Sequence, residues 1–253
     1  MRQAAGKFRL KGLFMKKLDV FIKELTEIFG QRLKSVFIYG STAKLADSEL
    51  CGNVNLMVIT DVLAGEDLKK VSASAKKWCG GSLFDRSRNP EPVFMGEEEW
   101  ANSADVYAME YADIKENHRV VYGEDPVCYI NVTGENLRLQ CERETKNLLM
   151  RFRSHYLLFA NDYRKLQTSI VPVIKSCNAI FKTVLRLKGI AIPSSPYEVL
   201  DKIHDLTPVD KDFYEKLLCR KEKHCKMNRK ETYEIADKTV QELDKLLKYI
   251  NNL

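Results

Sequence analysis

The chain has 253 residues, 45% hydrophobic and 30% charged, with only 12 glycines and 7 prolines. That length suits one large domain or two small ones with a real core, and that composition excludes collagen-like, low-complexity and largely disordered chains. The net charge of +6 is uneven: residues 1–134 carry 18 basic and 19 acidic side chains, residues 135–253 carry 23 and 16, so the halves stand at −1 and +7.

From the N-terminus, Phe14, Leu18, Phe21, Leu25 and Ile28 fall at helical spacing over 13–29, and Gly30 supplies a stop. SVFIY (35–39) and VNLMVIT (54–60) are short, continuous apolar runs, the pattern of strands covered on both faces. Residues 66–79 place Leu68, Val71, Ala75 and Trp78 on one helical face, closed by Gly80 and Gly81. PVFM (92–95) predicts a third strand. VYAMEYADI (106–114), with its aromatic and β-branched residues, predicts a fourth.

Beyond residue 133 the pattern is helical only. Thr133 caps a helix whose apolar face runs Leu137, Cys141, Leu148, Phe152, Tyr156 and Phe159. A second long helix, about 162–187, uses Ile170, Ile174, Cys177, Phe181, Val184 and Leu187, is interrupted by Pro172 and ends at Gly189. Ser195, Pro196 and Glu198 form a capped helix start. The last helix carries Tyr233, Ala236, Val240, Leu243, Leu247 and Ile250, a spacing suited to bundle packing. The expectation is an α/β (α+β) domain with a short mixed sheet over 1–133, followed by an all-α helical bundle over 134–253.

No apolar run approaches the roughly 18–20 residues of a bilayer span, and the N-terminus lacks the apolar stretch of a secretory signal. The seven cysteines are scattered without a CxxC pair, and the spacing of Cys219, His224 and Cys225 matches no common zinc pattern. These features predict a reduced, cytoplasmic protein. The sequon at Asn131-Val132-Thr133 then has no chemical meaning. RKEKHCKMNRK (220–230) is the densest basic run and a candidate polyanion patch.

The chemistry concentrates between residues 36 and 59. A strand runs into Gly40-Ser41, where a glycine admits a ligand close to the backbone and a serine offers a hydroxyl. About a dozen residues later Asn53 and Asn55 open the next apolar strand, and strand alternation places their oxygens on one face.

This arrangement resembles the DNA polymerase beta-like nucleotidyltransferase superfamily, in which a strand ending in GS leads to a helix and then to a strand carrying D-x-D. The stretch MEYADIKENHRVVYGEDP (109–126) is similar to the part of bacterial members that supplies a third carboxylate and a following turn. NLRLQCERETKNLLMRFRSHY (136–156) is similar to their appended helical region, itself like a HEPN-type bundle. The resemblance implies that Gly40 and Ser41 contact phosphate; Lys44, beside the departure at Leu45, is a further candidate phosphate contact that would partly compensate for it. It places Asn53 and Asn55 where two metal-binding aspartates stand, and makes Glu110, with Asp113 as substitute, the third carboxylate.

Two departures bear on catalysis. Neutral amides replace both aspartates, and Leu45 occupies the last position of the family's GSxxxG pattern. His118 is expected on a helix surface. Arg151, Arg153 and His155 resemble the Arg-and-His pair of RNA-cleaving HEPN proteins, but at a shorter spacing, so RNA cleavage is not the expected activity.

The expected function is therefore nucleotide or partner binding with nucleotidyl transfer weak or lost, and magnesium held weakly or not at all. One alternative is an active magnesium-dependent transferase moving NMP from an NTP. Another is a nucleic-acid-binding or toxin–antitoxin-like module using the basic bundle. The expected partners are a nucleoside triphosphate, nucleic acid through Arg220, Lys221 and Lys223, or a second copy of the chain, but no membrane.

Overall fold

The two continuous apolar runs become the central strands of a four-stranded sheet. The computed structural model describes the backbone of residues 2–46, 50, 53–80, 88–223 and 227–253, with side chains from residue 15 onward. It divides into two compact units, Met1–Val132 and Thr133–Leu253.

The first unit contains α1 (Arg2–Phe29), β1 (Leu33–Tyr39), β2 (Asn55–Thr60), α2 (Gly65–Cys79), β3 (Val93–Gly96), α3 (Glu97–Asn102), α4 (Ala108–Glu116) and β4 (His118–Gly123). The sheet order is β3-β2-β1-β4. Strand β1 runs antiparallel to β2 and β4, while β2 and β3 are parallel. Val36, Ile38, Leu56 and Val58 pack on one side with Leu18, Phe21, Leu25 and Trp78. Phe37, Met57 and Ile59 pack on the other with Trp100, Tyr111 and Ile114. Both faces of the central strands are covered, so neither strand alternates in polarity.

The strand expected over 106–114 is a helix. Ala108, Met109, Tyr111 and Ile114 are its buried residues, an i, i+3 spacing that a strand would send to opposite faces. Tyr111 stacks on Trp100 at 4.3 Å and donates its hydroxyl proton to the Trp100 carbonyl at 2.8 Å. Strand β4 follows it, pairing with β1 from Ser35↔Gly123 to Tyr39↔His118. Helix α1 begins at Arg2, well before residue 13.

Arg32 fastens the end of the α1 segment to α2. Its guanidinium meets both Asp67 carboxylate oxygens at 2.9 Å. That pair and the Ala64 N–H hold Asp67 well below the usual carboxylate range. The contact therefore adds stability above the ordinary carboxylate pKa, and that contribution is lost only as pH falls through the lowered folded value.

The second unit is helical: α5 (Gly134–Leu158), α6 (Tyr163–Leu187), α7 (Pro196–Leu206), α8 (Lys211–Lys223) and α9 (Arg229–Asn251). Thr133 caps α5 by accepting the Asn136 N–H, and Ser195 caps α7 by accepting the Tyr197 N–H. Pro172 lies inside α6 without ending it.

The buried face of α9 is rotated from the expected one. Thr232, Ala236, Thr239, Glu242, Leu243, Leu246 and Ile250 are buried, whereas Tyr233, Val240 and Leu247 are half-buried. Polar residues at 232, 239 and 242 disguise the true stripe. Leu243→Ala is expected to cost about 2–5 kcal/mol, and Leu247→Ala about 1 kcal/mol. Urea melts of the two variants check the face, and the reverse order would refute it.

Among the described residues, no helix is long and apolar enough to cross a membrane.

Candidate functional site at one end of the sheet

Strand directions collect the candidate residues. Because β1 is antiparallel to β2 and β4, its C-terminal end meets their N-terminal ends. The parallel pairing of β3 brings its start to the same end. Tyr39 pairs with Asn55 on one side and His118 on the other, giving the row Asn55, Tyr39, His118 across the sheet. Tyr39 and Asn55 lie two residues from Phe37 and Met57, so the row continues their face.

Gly40 follows directly. Its φ of +79° lies in a region that favours glycine, and its N–H donates to the Asn117 carbonyl at 2.9 Å. A Cβ there would stand 3.4 Å from Asn55 Nδ2, so the Asn55 side chain lies against Gly40. Ser41–Lys44 form one 3-10 turn in which Ala43 is buried, with Ser41, Lys44 and Leu45 exposed. The Arg119 guanidinium donates to the Leu45 carbonyl at 3.2 Å and ties down the far end of this turn.

Asn53 departs from the strand rule. Strand β2 starts at Asn55, and Asn53 has a φ of +56°, a conformation that asparagine tolerates better than most residues. Alternation therefore does not place Asn53 and Asn55 on one face. Asn53 is exposed, and its N–H donates to the Arg88 carbonyl at 2.9 Å. The next residue, Val54, donates its N–H to Asn89 Oδ1 at 3.2 Å. Asn89 is 6% exposed and donates through Nδ2 to the Trp78 carbonyl at 3.1 Å. This buried amide thus clamps the entry to β2 against the end of α2.

The same contacts fix the approach to β3. Residues 88 and 89 run beside 53 and 54, and Val93 pairs with Met57. Pro90 and Glu91 therefore stand level with Asn55, but Glu91 lines a groove with Val71, Lys76 and Cys79 of α2, on the other face of the sheet from the Asn55 row.

Glu110 and Asp113 are not strand residues. They sit on α4 at i and i+3, on one side of the helix rather than on opposite faces. Glu110 is exposed and Asp113 half-buried. Asp113 Oδ1 accepts from Asn117 Nδ2 at 3.3 Å, and Asn117 is the residue that holds the Gly40 N–H, so Asp113 reaches the site through Asn117.

His118 opens β4 rather than lying on a helix. Its Nδ1 is 2.9 Å from the Ile114 carbonyl and its Nε2 is 3.3 Å from Asp125 Oδ2. Burial pushes the Asp125 carboxyl up, but the Val127 N–H and His118 ring outweigh it and the net shift is downward. Burial raises the Tyr39 phenol.

In the helical unit, Arg220 is half-buried and paired with Glu231, so its charge is partly neutralised. The adjoining groove of about 470 Å³ mixes Lys216, Arg220 and Lys238 with Asp210, Asp212, Glu231 and Glu234. Lys221 and Lys223 are exposed at the end of α8. His224 and Cys225 lie outside the described residues. Among the described residues, no group of three or more His, Cys, Asp or Glu is placed to hold a metal ion.

No family model and no curated protein matches this sequence. Among solved structures, the chain is similar to spectinomycin adenyltransferase AAD(9) from Enterococcus faecialis, solved with ATP and spectinomycin. The TM-score is 0.56 at 14% identity, over 92% of this chain and 99% of that one. The likeness shows the fold alone, a nucleotidyltransferase-type α/β domain with a small mixed sheet followed by a helical region.

Proposed function

We propose that the chain binds a nucleoside triphosphate at this end of the sheet, with nucleotidyl transfer weak or lost. The observation that carries this reading is Asn55, a neutral amide in the sheet row lying against Gly40, in a fold shared with an enzyme solved with ATP. A carboxylate only accepts hydrogen bonds, whereas an amide also donates. Asn55 Nδ2 is thus suited to a phosphate oxygen, beside the exposed Ser41 hydroxyl and Lys44 ammonium.

Magnesium is held mainly by carboxylates together with substrate phosphates. The residues at hand are the Asn55 amide, the exposed Asn53 that precedes its strand, and an Asp113 already engaged by Asn117. That set does not suit a two-ion centre, and no step of transfer is derived through one.

The test is thermal unfolding of the full chain with ATP, in chelator and with added Mg²⁺. ATP is expected to raise Tm in chelator, because a ligand selective for the folded state stabilises it. Added Mg²⁺ should change that rise little, and Ser41→Ala with Lys44→Gln should reduce it. No shift with any nucleoside triphosphate, or a shift that requires Mg²⁺, would overturn the reading.

A further inference from the structure

We propose that a cleft between α5 and α6 binds a small organic phosphomonoester. The cleft has a volume of about 290 Å³ and lies wholly within the helical unit. Arg151 and His155 stand one turn apart on its α5 wall, and Ser169 and Ser176 stand on its α6 wall. His155 Nδ1 is 2.9 Å from Ser169 Oγ. That contact orients the imidazole and leaves Nε2 for a ligand.

The lining is one-sided in charge. It contains Arg151 but no carboxylate. A guanidinium presents two parallel N–H groups to a phosphate or carboxylate; Ser176 adds a hydroxyl, and the His155–Ser169 pair adds one more donor, Nε2–H when Ser169 donates to Nδ1 or the Ser169 hydroxyl when Nδ1 donates. The same wall holds Pro172. Proline has no N–H, so the Thr168 carbonyl lacks its i+4 backbone donor and can accept from a ligand hydroxyl.

Size and floor argue for an organic group on the anion. The space of about 290 Å³ exceeds what a bare five-atom oxyanion fills. Leu148, Phe152 and Val173 supply the apolar surface against which the remainder would lie. These residues are separate from those at the end of the sheet, so the proposal does not depend on the nucleotide reading.

The test is calorimetric titration of phenyl phosphate, with inorganic phosphate as the comparison, into the full chain. Saturable binding of phenyl phosphate is expected, about tenfold or more tighter than inorganic phosphate. Arg151→Gln should weaken it about tenfold by removing the bidentate contact, and Ser169→Ala should weaken it less. Arg151 is exposed, so its variant should keep the parent Tm; if it does not, Arg151→Lys provides the same comparison, since an ammonium lacks the fork. Absence of saturation, equal affinity for the two anions, or variants at Arg151 that bind like the parent would overturn the proposal.

Discussion

Asn53→Asp combined with Asn55→Asp is expected to bind Mn²⁺ with ATP at least about tenfold more tightly than the parent. Asparagine and aspartate are nearly the same size, so the change is mainly of charge. At about 4 Å and an effective dielectric of about 20, each carboxylate attracts a divalent ion by about 8 kcal/mol before desolvation offsets much of it. Even a small retained fraction exceeds the tenfold threshold. The Asn55→Asp change should contribute more than Asn53→Asp, because Asn55 stands in the sheet row whereas Asn53 precedes the strand. Metal with nucleotide should also raise the Tm of the variant more than that of the parent, because a ligand selective for the folded state stabilises it. Nucleotidyl transfer is a separate outcome, since Leu45 also departs from the pattern of the superfamily that the sequence resembles. Titration of metal and nucleotide into parent and variant measures the effect. Equal affinities would sink the proposal that these amides occupy a former metal position.

Gly123→Ala should cost more than about 4 kcal/mol, or prevent folding. Gly123 closes β4 opposite Ser35 with a φ of +76°. A Cβ there would stand 1.9 Å from the Lys34 carbonyl oxygen and 2.9 Å from its carbon. Both obstacles are backbone, so relief requires moving β1, which lies at the centre of the sheet. Gly30→Ala is the control: its φ is +55°, but nothing lies within 4 Å of the added Cβ, so only the conformational cost of about 1–2 kcal/mol remains. Denaturant melts of both variants decide the matter. A Gly123→Ala protein within about 1 kcal/mol of the parent would mean that the β1–β4 register is wrong.

Strands β1 and β2 were legible because burial on both faces leaves an unbroken apolar run, and α2 because Val71 and Trp78 keep helical spacing. Residues 106–114 misled because composition and period disagreed: Val106, Tyr107 and Tyr111 favour a strand, while the buried set Ala108, Tyr111 and Ile114 has the helical period. That error moved Glu110 and Asp113 onto the wrong element and hid β4. Helix α8 went unread under its charges, although Phe213, Tyr214, Leu217 and Leu218 form its buried face. The placement of Gly40-Ser41 just after β1 and of Asn55 at the start of β2 was readable from local order alone. The left-handed backbone at Asn53 and the clamp from Asn89 depend on contacts 35 residues apart along the chain, which periodicity does not register.

Glu242 has a consequence for how the bundle chooses its alignment. Its side chain is 0% exposed, and its carboxylate accepts from the Asp210 N–H at 2.7 Å and from Lys245 at 2.8 Å. Asp210 in turn meets Lys238 at 3.0 Å and caps the Phe213 N–H at 3.1 Å. Both lysines travel with α9, but the Asp210 segment does not. Sliding α9 by one turn would carry a charged group into apolar neighbours and strand a backbone donor, a penalty of roughly several kcal/mol. Leucines alone would tolerate such slippage, since one apolar layer resembles the next. The buried acid acts as a key cut for one notch, making the correct seating of the last helix a discrete choice rather than the best of several similar ones.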